Sequence, residues 1–310
     1  MFQNLLQEII AGNQKSLARC ISLVENEYTG YLNFLQTLPN SLTPIIGITG
    51  PPGAGKSTLV DAIIETSVND NKKIGIICVD PSSPFNLGAV LGDRIRMSNW
   101  YNHPNVFIRS LATRGSLGGL HPKIIEIIDV MKVANFDYII IETVGVGQSE
   151  IEIAGLADFT IVVLVPEAGD EIQTMKAGLM EIADMFVINK ADRPGANAFV
   201  NNLKMMLAPA FHHKKEEIKI VKTVATKKEG IEELISCLSF LISKNINNEQ
   251  QETRNQKRGY LLAEKAFQII QQNRMKNINK NLLKSEIEIA SKNNNFNLYQ
   301  YILKYEISSV

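Results

Sequence analysis

Residues 45–49, Ile-Ile-Gly-Ile-Thr, run directly into Gly50-Pro51-Pro52-Gly53-Ala54-Gly55-Lys56-Ser57-Thr58. This is G-x-x-x-x-G-K-[ST] placed between an apolar run and a helical pattern, a setting that demands a strand, a tight glycine-rich turn and a helix in that order. Glycines let such a loop curl so that successive N–H groups, together with the helix N-terminus, point at the α- and β-phosphates of a nucleotide. Gly50, Gly53, Ala54, Gly55, Lys56, Ser57 and Thr58 are therefore the candidate phosphate-binding residues. Lys56 is expected to reach the β- and γ-phosphates, and the Ser57 hydroxyl to ligate Mg²⁺.

The remainder of the chain supports an α/β fold around this loop. Short β-branched runs recur at 45–49, 74–79, 106–110, 138–143, 160–165, 185–189 and 218–224, with helical patterns at 56–66, 122–134, 171–182 and 229–243. Near-continuous apolar strands alternating with helices predict a doubly wound, mostly parallel sheet covered on both faces. Residues 1–40 read as a helical N-terminal extension, 41–245 as the P-loop domain, and 246–310 as a helical C-terminal region. A polar linker is expected around 245–256. Two helical patterns follow, one around Leu262, Ala266, Phe267, Ile269 and Ile270, the other from Leu282 through Ile287 and Ile289 to Tyr305.

A Mg²⁺ ion needs further oxygen ligands, usually carboxylates near strand C-termini in an open α/β sheet. Asp80 and Glu142 each end a predicted strand and are the candidates; either can instead cap a following helix or turn. Glu142 also opens Glu-Thr-Val-Gly, in which the Gly145 N–H is placed to meet a γ-phosphate. Downstream, Asn189-Lys190-Ala191-Asp192 reads as N-K-x-D at another strand end. Asp192 can accept from guanine N1–H and N2–H₂, a donor pair adenine lacks, while Asn189 supports the loop or base edge and Lys190 covers the ring. A buried carboxylate facing adenine would lose its partners, so the pattern specifies GTP. The Ala225 amide is a further candidate, as a contact to guanine O6.

Composition excludes several classes. With 310 residues, 32 basic and 32 acidic side chains, the chain has no overall charge to match nucleic acid, although residues 251–310 carry ten Lys/Arg against five Asp/Glu. That tail is read as a solvated basic helical region. Three well-separated cysteines, Cys20, Cys78 and Cys237, without any CxxC, imply reduced and mostly buried thiols. The start, MFQNLLQEII, lacks a basic n-region followed by a long apolar stretch, and no run approaches 18 uncharged apolar residues. A cytoplasmic protein that contacts neither nucleic acid nor membrane is expected. His103, His121 and His212-His213 are read as non-ligands, and the methionines as packing.

At these residues the chain resembles the MeaB/ArgK family of P-loop GTPases, of the SIMIBI type. The resemblance rests on Gly50 to Thr58, Asp80-Pro-Ser-Ser-Pro-Phe85, Leu91-Gly-Asp-Arg-Ile-Arg-Met97, Arg109-Ser-Leu-Ala-Thr-Arg-Gly115, Glu142 to Glu150, Gly169-Asp-Glu-Ile-Gln-Thr-Met-Lys176 and Asn189 to Asp192. It implies a Mg²⁺-dependent GTP hydrolase that assists an adenosylcobalamin-dependent acyl-CoA mutase, gating cofactor delivery and protecting or reactivating that enzyme. It also implies a first switch containing Asp93 and Arg96, a second at 145–150, and a partner-sensing switch at 169–176. Lys176 or Arg96 would complete the charge stabilisation of phosphoryl transfer. The tail, by the same resemblance, would be a homodimerising arm, although it matches only in helical character. Val224 stands where the family's base loop often has Ser.

Gln148 is a candidate for orienting the attacking water, as a glutamine can, although its place three residues past Gly145, rather than immediately after it, favours hydrogen bonding within the switch. An older label for the family, a transport-system kinase, fits these residues poorly, since no protein-kinase catalytic loop is visible. Two other classes compete: a GTP-dependent metal-insertion chaperone, which should carry a His-rich tract or Cys pair absent here, and a nucleotide-sensing scaffold with negligible turnover.

Overall fold

The structure, a computed structural model, describes residues 1–80, 97–113, 120–145, 149–167, 180, 182–207, 218–244, 250–274 and 280–290. The chain divides into two compact units, Met1–Arg258 and Gly259–Val310.

The first unit is organised by a seven-stranded sheet: β1 (Ile45–Thr49), β2 (Ile74–Asp80), β3 (Val106–Ala112), β4 (Tyr138–Glu142), β5 (Phe159–Leu164), β6 (Met185–Ile188) and β7 (Lys219–Lys222). Their order across the sheet is β3-β2-β4-β1-β5-β6-β7, and every pairing is parallel. Parallel strands cannot be joined by tight turns, so each crossover carries chain over a sheet face and buries it. Accordingly, every residue of β1, β2, β4, β5 and β6 is buried. β7, at an edge, flanks Ile220 and Val221 with exposed Lys219 and Lys222. β1 is followed in the chain by β2 on one side of it and has β5 on the other, so the crevice above its C-terminal end is a topological switch point, where open α/β sheets bind ligands.

Helices preceding the sheet are α1 (Phe2–Ile10), α2 (Gln14–Glu25) and α3 (Tyr31–Leu35). Asn13 caps α2, its side chain accepting from the Lys15 and Ser16 amides at 3.0 and 3.1 Å. This layer buries Leu5, Ile9, Leu17, Cys20, Ile21 and Val24. It is also pinned by charge: Arg109 of β3 meets Glu25 at 2.5 Å, and Lys123 meets Glu27 at 2.7 Å and the Tyr31 hydroxyl at 3.0 Å. Burial pulls the Lys123 ammonium toward neutrality, but Glu27, Tyr31 and Glu126 outweigh it and its pKa lies above the usual lysine value.

Helices following strands in this unit are α4 (Lys56–Asn69), α5 (Ile124–Lys132), α6 (Ser149–Leu156), α7 (Ala196–Leu207) and α8 (Ile231–Lys244). α4 packs Leu59, Val60, Ala62, Ile63 and Ile64 into the same core as Ile46, Ile76 and Ile140 of the sheet. α9 (Gln250–Arg274) begins within the expected 245–256 linker, a correction to the sequence reading: Gln, Glu, Arg and Lys are polar yet good helix formers, and composition alone mistook them for a linker. In the second unit the later part of α9 and α10 (Lys280–Ala290) carry exposed Tyr260, Phe267, Ile270, Leu282 and Ile289. The continuation expected toward Tyr305, and most of the helix expected at 171–182, lie outside the described residues.

Candidate nucleotide site

The phosphate loop occupies 50–55, between the end of β1 and the first turn of α4. Gly55 takes φ +86, the left-handed region, and its Cα faces the Asn189 side chain so closely that any Cβ would collide with Nδ2. Lys56 lies folded under the loop, with Nζ donating to the carbonyls of Gly50 at 2.9 Å and Pro51 at 3.1 Å. Both are acceptors a bound phosphate can replace with charge-assisted partners. The amides of the first turn of α4 and the positive end of its dipole complete an anion-binding cradle.

At the metal end, the Ser57 hydroxyl donates to Glu142 Oε1 at 2.7 Å. Asp80 and Glu142 are only 4% and 3% exposed. The β2–β4 register pairs Cys78 with Glu142, which sets Asp80 two residues further on along the neighbouring strand. Thr113 donates its amide to the Asp80 carbonyl at 3.0 Å, so the Asp80 backbone is fixed from the β3 side as well. Ser57 and Glu142 meet directly and Asp80 stands on the same face of the neighbouring strand, and these three hard oxygen donors fit Mg²⁺, which keeps waters and takes its remaining oxygens from phosphate.

Beyond Glu142, Thr143 donates its amide to the Ile48 carbonyl at 3.0 Å and its hydroxyl to Thr49 Oγ1 at 2.9 Å. Gly145 takes φ +83, and a Cβ there would lie 2.5 Å from both Lys56 Nζ and the Gly50 carbonyl oxygen. In α6, burial raises the Glu152 carboxyl above its ordinary pKa.

Asn189 follows β6 and is 2% exposed. Its Nδ2 donates to the Ala54 carbonyl at 2.9 Å, while its Oδ1 accepts from Thr223 Oγ1 and from the Ala225 amide, both at 3.1 Å. Lys190 has φ +55 and sends Nζ to the Gly53 carbonyl at 2.8 Å. The base loop is thus bonded to the phosphate loop through both Asn189 and Lys190.

Several sequence expectations need adjusting here. Asp192, read as buried, has a side chain 42% exposed and pairs with Lys227 at 3.3 Å. The Ala225 amide, expected to face guanine O6, is engaged by Asn189, so a base would have to share it. Asp93, Arg96, Gln148 and Lys176 lie outside the described residues. Thr49 and Thr143 carry no signal of their own in the sequence, where lone threonines at strand ends are commonplace. His121 accepts the Lys123 amide through Nδ1 at 3.0 Å and lies 3.7 Å from Glu25, and His103 Nδ1 accepts the Asn105 amide, both structural settings. Among the described residues, no helix is long and apolar enough to cross a membrane.

A parallel sheet with the phosphate loop after β1, acidic residues at the ends of neighbouring strands and an N-K-x-D loop bonded back to it defines a P-loop GTPase. More narrowly, the chain belongs to the family of methylmalonyl Co-A mutase-associated GTPases, MeaB, whose model matches residues 17–281. It is 47% identical over 240 residues to a protein of Pyrococcus abyssi named as a GTPase, covering 76% of this chain and 74% of that one. With the GTPase ArgK of Escherichia coli it shares 34% identity over 240 residues, 74% of this chain and 72% of the other. The methylmalonic aciduria type A homolog of Caenorhabditis elegans is 33% identical over 257 residues, 76% and 64% of the two chains. The crystal structure of an LAO/AO transport system kinase superposes over 100% of this chain and 98% of its own with a TM-score of 0.66 at 24% identity, a likeness of fold.

Proposed function

We propose that the protein hydrolyses GTP to GDP and phosphate and uses the cycle to assist an adenosylcobalamin-dependent acyl-CoA mutase of the methylmalonyl-CoA mutase type, gating cofactor delivery and protecting or reactivating the enzyme. The observation that carries the hydrolytic part is the 2.7 Å bond from Ser57 to Glu142, which joins a phosphate-loop hydroxyl to a strand-end carboxylate 85 residues away. The mutase is supported by the description of the family to which the chain belongs.

In this reading the triphosphate lies along the amides of 53–58, and Lys56 leaves the Gly50 and Pro51 carbonyls for β- and γ-phosphate oxygens. Asp192 accepts from the guanine N1–H and N2–H₂, Asn189 holds the base loop at its distance from the phosphate loop, and Ala225 shares its amide with O6. Ser57, Asp80 and Glu142 would hold Mg²⁺, which would supply charge neutralisation at the phosphates. Water forms the new bond to the γ-phosphorus while the bond to the bridging oxygen breaks, and that oxygen leaves on GDP with the electron pair. Gln148 orients the water, Arg96 or Lys176 completes the charge stabilisation, Asp93 belongs to the first switch, and the Gly145 amide contacts the γ-phosphate.

The assignment extends to organisation: 1–40 as an extension, 41–245 as the GTPase domain and 246–310 as a homodimerising arm, in a cytoplasmic protein. Complex formation with a purified mutase tests the partner. Affinity for the mutase should differ by at least tenfold between the GDP form and the form bound to a non-hydrolysable GTP analogue. Equal affinity in both states, or no complex in either, would end the proposal.

A further inference from the structure

We infer that Thr143, acting through Thr49, is a positioning residue that holds segment 142–145 against the phosphate loop for metal-assisted phosphoryl transfer. The inference rests on the GTPase reading above and deepens it.

Thr49 is the last residue of β1 and immediately precedes Gly50, whose carbonyl holds Lys56. Thr143 immediately follows Glu142, which accepts from Ser57. The two threonines are 0% and 2% exposed. Thr143 bonds to two consecutive residues of β1, by its amide to Ile48 and by its hydroxyl to Thr49. One residue thus fixes both the height and the lateral position of the second loop at the point where β1 and β4 end. Glu142 on one side and Gly145 on the other approach Ser57 and Lys56 directly. Thr143 touches neither of those side chains through its hydroxyl, and therefore acts on the chemistry only by setting where its neighbours stand.

Packing alone does not call for these hydroxyls. β1 is otherwise Ile-Ile-Gly-Ile and β4 supplies Tyr-Ile-Ile-Ile before Glu142, so valine would fill the same volume in equally apolar surroundings. A mutually bonded hydroxyl pair adds little net stability over an apolar pair of the same shape, whereas removing one member strands the other. What the pair adds is a defined separation, and reacting groups displaced by even about 1 Å can lose up to about 10²-fold in rate.

Thr143→Val, Thr143→Ser and the double variant Thr49→Val/Thr143→Val separate the two roles. Each is compared with wild type for Tm, for kcat and KM on GTP, and for the Mg²⁺ concentration that half-saturates its enhancement of GTP-analogue binding. Thr143→Val should lower kcat about tenfold with KM within threefold, and raise the Mg²⁺ half-saturation about fivefold. Thr143→Ser should restore both. The double valine variant should regain wild-type Tm while keeping the low kcat and weakened Mg²⁺ response. If it regains rate together with Tm, or if Thr143→Val changes Tm alone, the pair is only structural and the inference fails. Should wild type turn over no GTP, the functional proposal falls, and the Mg²⁺ titration still decides the role of Thr143.

Discussion

Asn189 and Ala54, 135 residues apart, are joined by a 2.9 Å hydrogen bond from the Asn189 side-chain amide to the Ala54 carbonyl. With Oδ1 occupied by Thr223 and Ala225, one buried side chain ties the phosphate loop, the N-K-x-D loop and the loop after β7 into a single body. The spacing between the phosphate end and the base end of the cleft is therefore set before nucleotide arrives, which lowers the ordering cost of binding.

Asn189→Ala removes these bonds and leaves the Thr223 hydroxyl and Ala225 amide without their buried acceptor. Each orphaned group costs about 1–3 kcal/mol, so the variant should lose about 3 kcal/mol in urea unfolding and bind GTP at least tenfold more weakly. Unchanged affinity in calorimetric titration would show that the link does not preorganise the cleft.

Asp192→Asn should separate specificity from stability. Its pair with Lys227 is exposed, worth about 0–1 kcal/mol, so Tm should hardly move. Losing the charged acceptor for guanine should weaken GTP by about 10–100-fold while leaving ATP binding where it was. Competition binding with the two nucleotides checks this, and an equal loss for both would contradict the base-loop assignment.

The strand positions were legible in sequence because a parallel sheet covered on both faces needs apolar runs, but their ends were not. Residues 160–165 were expected where Phe159–Leu164 is observed, since a fully apolar run has no alternation to mark where pairing stops, and 218–224 where only Lys219–Lys222 is paired, since β-branched Thr223 and Val224 continue the strand-like composition past the last ladder pair. α4 runs three residues past its expected end, to Asn69, where Ser67 meets the Tyr138 hydroxyl from β4. Lys56, Ser57, Glu142 and Asn189 announce themselves through spacing. The bonds that connect them, Asn189 to Ala54 and Thr143 to Thr49, depend on the strand order β4-β1-β5-β6, which no local pattern encodes.

Glu25→Ala should destabilise the N-terminal layer rather than the chemistry. It removes the partner that Arg109 meets at 2.5 Å in a poorly exposed setting, which costs about 3 kcal/mol when one charge of such a pair is left behind. Glu25→Ala/Arg109→Met should recover much of that loss in denaturant titration. GTP affinity of the folded Glu25→Ala protein should stay within threefold of wild type.

Two buried groups set an alkaline limit. Burial pushes the Cys20 thiol from its ordinary 9.0 up to about 12 and the Tyr138 hydroxyl from 10.0 to about 12. The unfolded chain releases these protons first, so stability is intact below about pH 9 and is lost as pH rises toward 12, by on the order of 3 kcal/mol for each group. Cys20→Ala should flatten the fall in Tm between pH 9 and 11. An unaltered slope would mean that Cys20 titrates freely in the folded protein.

Steady-state hydrolysis of GTP and ATP with Mg²⁺, by wild type and Lys56→Ala, each alone and with a candidate adenosylcobalamin-dependent mutase, tests the central claim most directly. GTP-selective turnover that rises with the mutase and falls to background in Lys56→Ala is the predicted result. Equal use of ATP would contradict the base loop, turnover that survives Lys56→Ala would contradict the phosphate loop, and GTP turnover indifferent to the mutase would remove the proposed partner.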